Sequence, residues 1–441
     1  MKILSLFDGM ACGMLAMQSA GINVDRYVAF EIDKYAVQTS SHNFPMIEHR
    51  GDVFKGDFTE FRGFDFLIGG SPCTKWSIAQ KNGRETEASG IGWELFCQYV
   101  RALNEAKPKY FIYENNKSMH NNIRTAITEA FGFEPICINS ALLSAQNRQR
   151  LYWVGRRNAD GTYSRINVDQ PEDMGILLRD VLDGVADREK GTMAYEPVSF
   201  TMSGTFGSRR ASVSDKAYCL AANPSSDMTP RCIEPVAINT TADGDKARTL
   251  MAGYYKYGTA TLITNEGFTG GTTAVAEPVC VETNLVPFVV KKLDEAVKKY
   301  GYIPEIYNPY NNAEITEKHP TLTAQCGSQT SSSSVFCIVP AIPCEWDADG
   351  KPTKAVSGTD GKTYPVYEVK DGLITIKGKQ YPIKLADGFY IIRKLTVSEC
   401  KRLQTVPEWF VFPVSDSQAY KLLGNGWTVL VIAHLIRATQ I

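Results

Sequence analysis

The chain has 441 residues, more than one hydrophobic core normally fills, and 44% are hydrophobic, so two folded domains are expected and a disordered chain is excluded. Lysine and arginine number 47 against 48 acidic residues, a net charge of −1, so any polyanion must be met by a local basic surface and not by overall charge. Eleven cysteines without a CxxC pair, and five histidines never at zinc-ligand spacing from them, exclude a disulfide framework and argue for reduced thiols and no metal.

The N-terminal apolar stretch Ile3 to Phe7 is broken by Asp8 and Gly9, too short for a signal peptide, and no run approaches a membrane span. A cytoplasmic protein is expected. Residues 1 to about 155 alternate short apolar runs with helical stretches, the pattern of a doubly wound α/β sheet. Candidate strands are Lys2–Phe7, Arg26–Phe30, Phe64–Ile68, Tyr110–Tyr113, Glu134–Asn139 and Arg150–Val154; candidate helices are Gly13–Ala20, Lys34–Asn43, Trp93–Ala106 and Ile123–Phe131.

The loop Phe7-Asp8-Gly9-Met10-Ala11-Cys12-Gly13 follows the first strand and opens the first helix, with glycines where a ligand would approach backbone amides. It lacks the GxGxxG or Gly-Lys-Ser/Thr of a phosphate loop. Its acid and aromatic ring suit a ligand with an amino group and an adenine face. Glu31, after the second strand, is placed to accept from a ribose diol, and Asp52 from an exocyclic amine. Each alone reads first as a solvated loop carboxylate; in order after a glycine loop they point to a nucleoside without phosphate. Ile32, Val53, Gly70 and Pro72 complete this candidate cofactor set.

Gly69-Gly70-Ser71-Pro72-Cys73 is a tight turn after the third strand that delivers one thiol. Glycine admits a ligand and proline stiffens the approach, neither of which a packing cysteine needs. Glu114 and Asn115 end the next apolar run, so thiol and carboxyl group share one rim of the sheet. Glu114 reads as partly desolvated, a proton donor beside a nucleophile.

From Arg156 to about Ile392 the texture changes to glycine, threonine, serine and proline with short β-type runs, so residues 156–392 are expected to form a second, β-rich domain between two parts (1–155 and 393–441) of the first. Segments 215–222, 245–252 and 317–324 share acid, lysine, leucine and alanine in register and suggest a repeated hairpin, or simply similar hairpins with solvated turns. Asp347–Gly350, Asp360-Gly361, Asp371-Gly372 and Lys377-Gly378 mark hairpin turns. Thr396 with Glu399 makes a capping box for a helix through Leu403, and Trp427–Ile436 is long enough for a buried helix.

The series Phe7–Gly13, Glu31, Asp52, Ser71-Pro72-Cys73, Glu114-Asn115-Asn116, Gln146-Asn147-Arg148-Gln149-Arg150, Arg393-Lys394-Leu395-Thr396 with Arg402-Leu403-Gln404, and Gly424-Asn425-Gly426 resembles the ordered motifs of the cytosine-C5 DNA methyltransferases. The resemblance covers the first 155 and last 49 residues. Asn116 stands where valine is usual, and no glutamine follows Cys73 closely. Trp427, Leu6-Phe7-Asp8-Gly9 and Asp25-Arg26-Tyr27 are closer in style to the vertebrate de novo DNA methyltransferases.

The resemblance implies a Rossmann-like, S-adenosylmethionine-dependent catalytic domain with a target-recognition domain, acting as a monomer on double-stranded DNA. Cys73 would add to C6 of a flipped-out cytosine, Glu114 would hold N3 and the exocyclic amine, Arg148 and Arg150 the O2 side, with Asn425 in the catalytic set. Phe7, Asp8, Gly9, Cys12, Gly13, Glu31, Asp52, Asn425 and Trp427 would hold the cofactor. Ser71, Lys75, Ser77, Arg209, Arg210, Lys216, Lys246, Arg248 and Lys256 are the expected DNA contacts. A tRNA methyltransferase using the same chemistry, a catalytically silent DNA-binding homologue, and an enzyme transferring a larger one-carbon group are the alternatives. A stand-alone enzyme, a restriction partner and a phage protein would share these features.

Overall fold

The computed structural model describes residues 1–72, 76, 83–183, 284–356 and 362–440, with the backbone of short strands at 199–203, 210–214, 237–238, 249–250, 262–263 and 274–275. The chain divides into two compact units, Met1–Ala186 with Asn284–Ala341 and Val366–Ile441, and Asp187–Thr283 with Ile342–Pro365.

In the first unit, β1 (Lys2–Leu6) pairs in parallel with β2 (Arg26–Phe30) and β4 (Phe66–Gly69), β2 with β3 (Glu48–His49), and β4 with β5 (Tyr110–Asn116). The sheet continues through β7 (Gln149–Arg157) to β6 (Ile136–Asn139), giving the order β3-β2-β1-β4-β5-β7-β6, with β8 (Tyr163–Arg165) on β7. β7 runs antiparallel to both β5 and β6, so the sheet is mixed. Chain order reverses at β1, where β2 lies to one side and β4 to the other. A crevice outside the carboxyl ends of such strands is where open α/β sheets take ligands.

Alternation along β1 sorts its side chains. Leu4 and Leu6 join Val28, Phe30 and Leu67 in one core, and Ser5 points to the opposite face. That core is closed by α3 (Gly90–Ala106) and α4 (Asn121–Phe131), whose Phe96, Tyr99 and Phe131 meet Phe111, Tyr113 and Trp153 of the sheet. The Tyr99 and Tyr113 ring centroids are 4.8 Å apart, and such aromatic pairs add about 0.5–1.5 kcal/mol beyond the area they bury. On the other face α1 (Cys12–Ser19) packs against the C-terminal helix Val429–Ala438. α2 (Lys34–Asn43) is capped by Asp33, whose side chain accepts from the Tyr35 amide.

Residues 284–341 and 366–392, expected in the second domain, belong to the first unit while keeping a core of their own. An antiparallel sheet of seven strands, ending in Gly388–Lys394, packs Ile338, Val369, Ile374 and Ile392 against Val289 and Leu293 of helix Pro287–Tyr300. Two links explain the grouping. Strand Gly388–Lys394 runs directly into the helix Val397–Leu403, where the expected capping box of Thr396 and Glu399 is present. Buried Arg393 reaches the same Glu399 through two contacts of 2.7 and 2.8 Å. The other link is the segment 317–324, which forms no hairpin but crosses to residues 145–147. Its two sequence partners, 215–222 and 245–252, lie outside the described residues except for the backbone of 249–250.

In the second unit, Ile342–Trp346, Pro352–Val356 and Thr363–Pro365 form an antiparallel sheet, with the expected turn at Asp347–Gly350 between the first two strands. The turns at Asp371-Gly372 and Lys377-Gly378 fall between strands of the first unit, and Asp360-Gly361 lies outside the described residues.

Candidate active site

The loop after β1 is wound through left-handed backbone at Phe7, Gly9 and Ala11, with φ of 57°, 60° and 67°. This sharp path leaves Asp8 buried beneath it. Ser5 Oγ and Tyr27 Oη each donate to Asp8 Oδ1 at 2.6 Å, while Asp8 Oδ2 is buried without a partner among the described residues. Burial raises the Asp8 carboxyl to about 6, against the lowering effect of those two hydroxyls. Glu31 fastens the loop to β2: Oε2 accepts from the Gly9 amide, and Oε1 from the amides of Ile32 and Asp33, all at 2.8 Å.

Gly13 has no room for a side chain, since a Cβ would lie 2.3 Å from Ile68 Cδ1 and 2.6 Å from Tyr27 Oη. Cys12, pushed up to about 12 by burial, is a packing thiol and not a nucleophile. Asp52 spends one oxygen on the Phe54 amide at 3.0 Å and caps a short helical turn; Val53 beside it is buried. Ile32 and Phe54 remain exposed on these loops, at 78% and 46%, where the sequence expects a nucleoside.

Glu114 lies near the end of β5, 9% exposed. Arg150 Nε, from β7, is 3.0 Å from its Oε1, and the indole N–H of Trp427 donates to Oε2 at 2.9 Å. Gly70 makes this arrangement possible, because a Cβ there would stand 2.7 Å from Glu114 Oε2. Trp427, expected to open a helix, precedes it: the helix begins at Val429, and the indole turns to the carboxylate. Gly426, just before Trp427, packs on the first loop, since a Cβ there would lie 3.2 Å from the Cys12 sulfur.

Ser71, expected on the DNA surface, is buried at 3% exposure. Its hydroxyl is 2.6 Å from Tyr113 Oη and its carbonyl accepts from Asn115 Nδ2 at 3.2 Å, so Ser71 and Asn115 anchor the turn that leads to Cys73. Pro72 is exposed at its end. Cys73, Lys75 and Ser77 lie outside the described residues. Trp76, between them, is fully buried and donates to Glu85 Oε2 at 2.9 Å.

Arg148, expected to face the base, is buried and its guanidinium holds structure. Nη1 donates to the carbonyls of Leu322 at 3.0 Å and Gly424 at 3.3 Å, and Nη2 to that of Gly426 at 2.9 Å. Gln146 works alongside it, accepting from the Leu322 amide at 2.9 Å and donating to Leu403 O at 3.1 Å. The buried Gln404 closes the junction through Leu423 O and the Thr428 hydroxyl. Asn425 stands exposed at the end of helix Asp416–Asn425. Arg209, Lys216, Lys246, Arg248 and Lys256, and the side chain of Arg210, lie outside the described residues.

The sequence does not announce the roles of Ser5, Tyr27 and Tyr113, and its hairpin pattern at 317–324 conceals the contact with residues 145–147. A serine inside an apolar strand was the readable signal for Ser5; the others depend on contacts remote in sequence.

This sheet order, with its antiparallel β7 and its loops gathered at the carboxyl ends of β1, β2, β4 and β5, defines a Rossmann-like α/β fold. The C-5 cytosine-specific DNA methylase family matches residues 1–203 and 291–440, and the chain belongs to that family. It is therefore a DNA cytosine-C5 methyltransferase, an S-adenosylmethionine-dependent transferase. Among curated relatives, the orphan methyltransferase M.SPRI of Bacillus phage SPR is 26% identical over 99% of this chain and 97% of its own. The type II methyltransferase M1.ScrFI of Lactococcus lactis subsp. cremoris is 31% identical over 42% of this chain and 49% of its own. In fold the chain is similar to a Spodoptera frugiperda DNMT2 mutant, with TM-score 0.52, 14% identity and coverage of 100% and 99%. It is likewise similar to the Entamoeba histolytica methyltransferase EhMeth, with TM-score 0.51, 12% identity and coverage of 99% and 97%.

Proposed function

We propose that this protein methylates C5 of a cytosine flipped out of double-stranded DNA inside the cell, with Cys73 as nucleophile and Glu114 as its acid partner. The observation that carries this reading is the Glu114 carboxylate, held from two sides at the rim next to Gly70, three residues before Cys73. A carboxylate offers about four acceptor positions, so with Arg150 and Trp427 each taking one, positions remain on both oxygens for the N3 and N4 edge of a cytosine.

The Cys73 thiolate would add to C6 while Glu114 supports a proton at N3, which turns C5 into an enamine-like carbon nucleophile. After methylation, loss of the C5 proton returns the electron pair through the ring and expels the thiolate. A base inside the stack cannot meet the thiol on its face, so extrusion is required and costs a few kcal/mol.

The residues of the first loop suit S-adenosylmethionine. The buried, unpartnered Asp8 Oδ2 lacks a donor that an α-ammonium would provide, and the exposed apolar surfaces of Ile32 and Phe54 suit an adenine. When bound, this cofactor supplies an electrophilic methyl group on a sulfonium. Phe7, Gly9, Glu31, Asp52 and Val53 would line the same site. Basic side chains of residues 199–283, including Arg209, Arg210, Lys216, Lys246, Arg248 and Lys256, would neutralise phosphates.

The test is covalent trapping on random-sequence duplex DNA carrying 5-fluorocytosine, with S-adenosylmethionine present. The wild-type chain is expected to give a denaturant-resistant adduct and Cys73→Ser none. Absence of an adduct with the wild type, in DNA of any sequence, removes the reading.

A further inference from the structure

We infer that Trp427 is a positioning residue for Glu114, its indole N–H fixing the orientation of the carboxylate before the base arrives. This role rests on the methyltransferase reading above.

A glutamate side chain at a strand end has three rotatable bonds, and one ion pair leaves it free to swing about that contact. Arg150 supplies one anchor, at Oε1. The second anchor at Oε2 is Trp427, which converts a hinge into a fixed plane. Besides Arg150, the titratable residue of β7 facing Glu114 is Tyr152, which lies directly opposite it in register and is itself buried.

Trp427 is in turn held from behind. The turn before it packs on the first loop: at Gly426 a Cβ would lie 3.2 Å from the Cys12 sulfur and 3.1 Å from Met10 Cε. The Gly426-Trp427 pair therefore lies between the loop expected to carry the methyl donor and the acid expected to carry the base. Phenylalanine at 427 would keep the ring and lose the donor.

The experiment is a double-mutant cycle read by single-turnover methyl transfer on cytosine-containing duplex DNA, with wild type, Trp427→Phe, Glu114→Gln and the pair. Trp427→Phe is expected to slow transfer about tenfold or more, as loss of a hydrogen bond to a charged group entails. Binding of S-adenosylhomocysteine and of DNA should change less than about threefold. In the Glu114→Gln background the second substitution should add almost nothing, because Trp427 acts only through Glu114.

A full additional loss in that background, or a Trp427→Phe enzyme with wild-type rate, overturns the positioning role while leaving the methyltransferase reading intact. A wild-type chain that methylates no DNA overturns both. Should Trp427→Phe fail to fold, the indole ¹⁵N–¹H resonance of Trp427 in the otherwise wild-type chain decides: it must shift on Glu114→Gln, and an unmoved resonance overturns the proposal.

Discussion

Tyr27 donates its hydroxyl hydrogen to Asp8 at 2.6 Å, yet the second oxygen of the same carboxylate has no partner among the described residues. Burial outweighs the Ser5 and Tyr27 hydroxyls and makes Asp8 a proton-binding group.

The first prediction concerns pH. The folded Asp8 carboxyl titrates at about 6 and its ordinary value is 3.8, so the native state binds more protons between those limits and loses stability as pH rises through them. Asp8→Asn removes that penalty. In urea denaturation the difference between the two proteins should move in favour of asparagine by up to about 3 kcal/mol between pH 4 and 7. His319, lowered to about 4 by burial, acts in the opposite sense, its contribution being present above pH 6.5 and lost as pH falls towards 4. For that reason the comparison of the two proteins is informative where the wild-type curve alone is not.

The second prediction concerns the ion pair of Arg393 and Glu399, whose side chains are 1% and 0% exposed. Removing one member strands a buried charge. Glu399→Leu should cost about 3–5 kcal/mol, and replacing Arg393 by Met as well should recover part of that loss. Thermal unfolding of the two variants measures this; equal melting temperatures for the single and double variants contradict it.

A third prediction separates two neighbouring glycines. At Gly424 a Cβ would lie 2.1 Å from the backbone carbon and oxygen of Thr323, which cannot yield without moving the chain. Gly424→Ala should destabilise by at least about 1–3 kcal/mol and slow turnover, since Arg148 bonds the carbonyls on both sides of that contact. At Gly426 the nearest atoms, Leu422 O, Met10 Cε and Cys12 Sγ, stand 3.1–3.2 Å from a Cβ and need give only slightly, so Gly426→Ala is expected to be milder in a chemical denaturation assay.

Much of the first sheet was legible. Arg26–Phe30 and Lys34–Asn43 have the expected limits because their apolar patterns and caps are local. Strand direction is not local: nothing in the period of Gln149–Arg157 distinguishes antiparallel insertion between β5 and β6 from parallel addition at an edge. Trp427 shows the same limit at one residue. Its apolar character continues the run that follows, but its N–H finds Glu114, 313 positions away, and the helix starts two residues later. Segment 317–324 resembled two others in composition, and its position is set by Gln146 and Arg148, which composition does not report.

The crossing of 317–324 to residues 145–147 bears on how the protein can be re-engineered. A chimera cut at 155 and 392 would discard the very strand of chain that Arg148 grips, and should yield an inert scaffold whatever insert it receives. Cuts near 186 and 284 spare that tether, so the modular part of this enzyme is shorter than its change of texture implies.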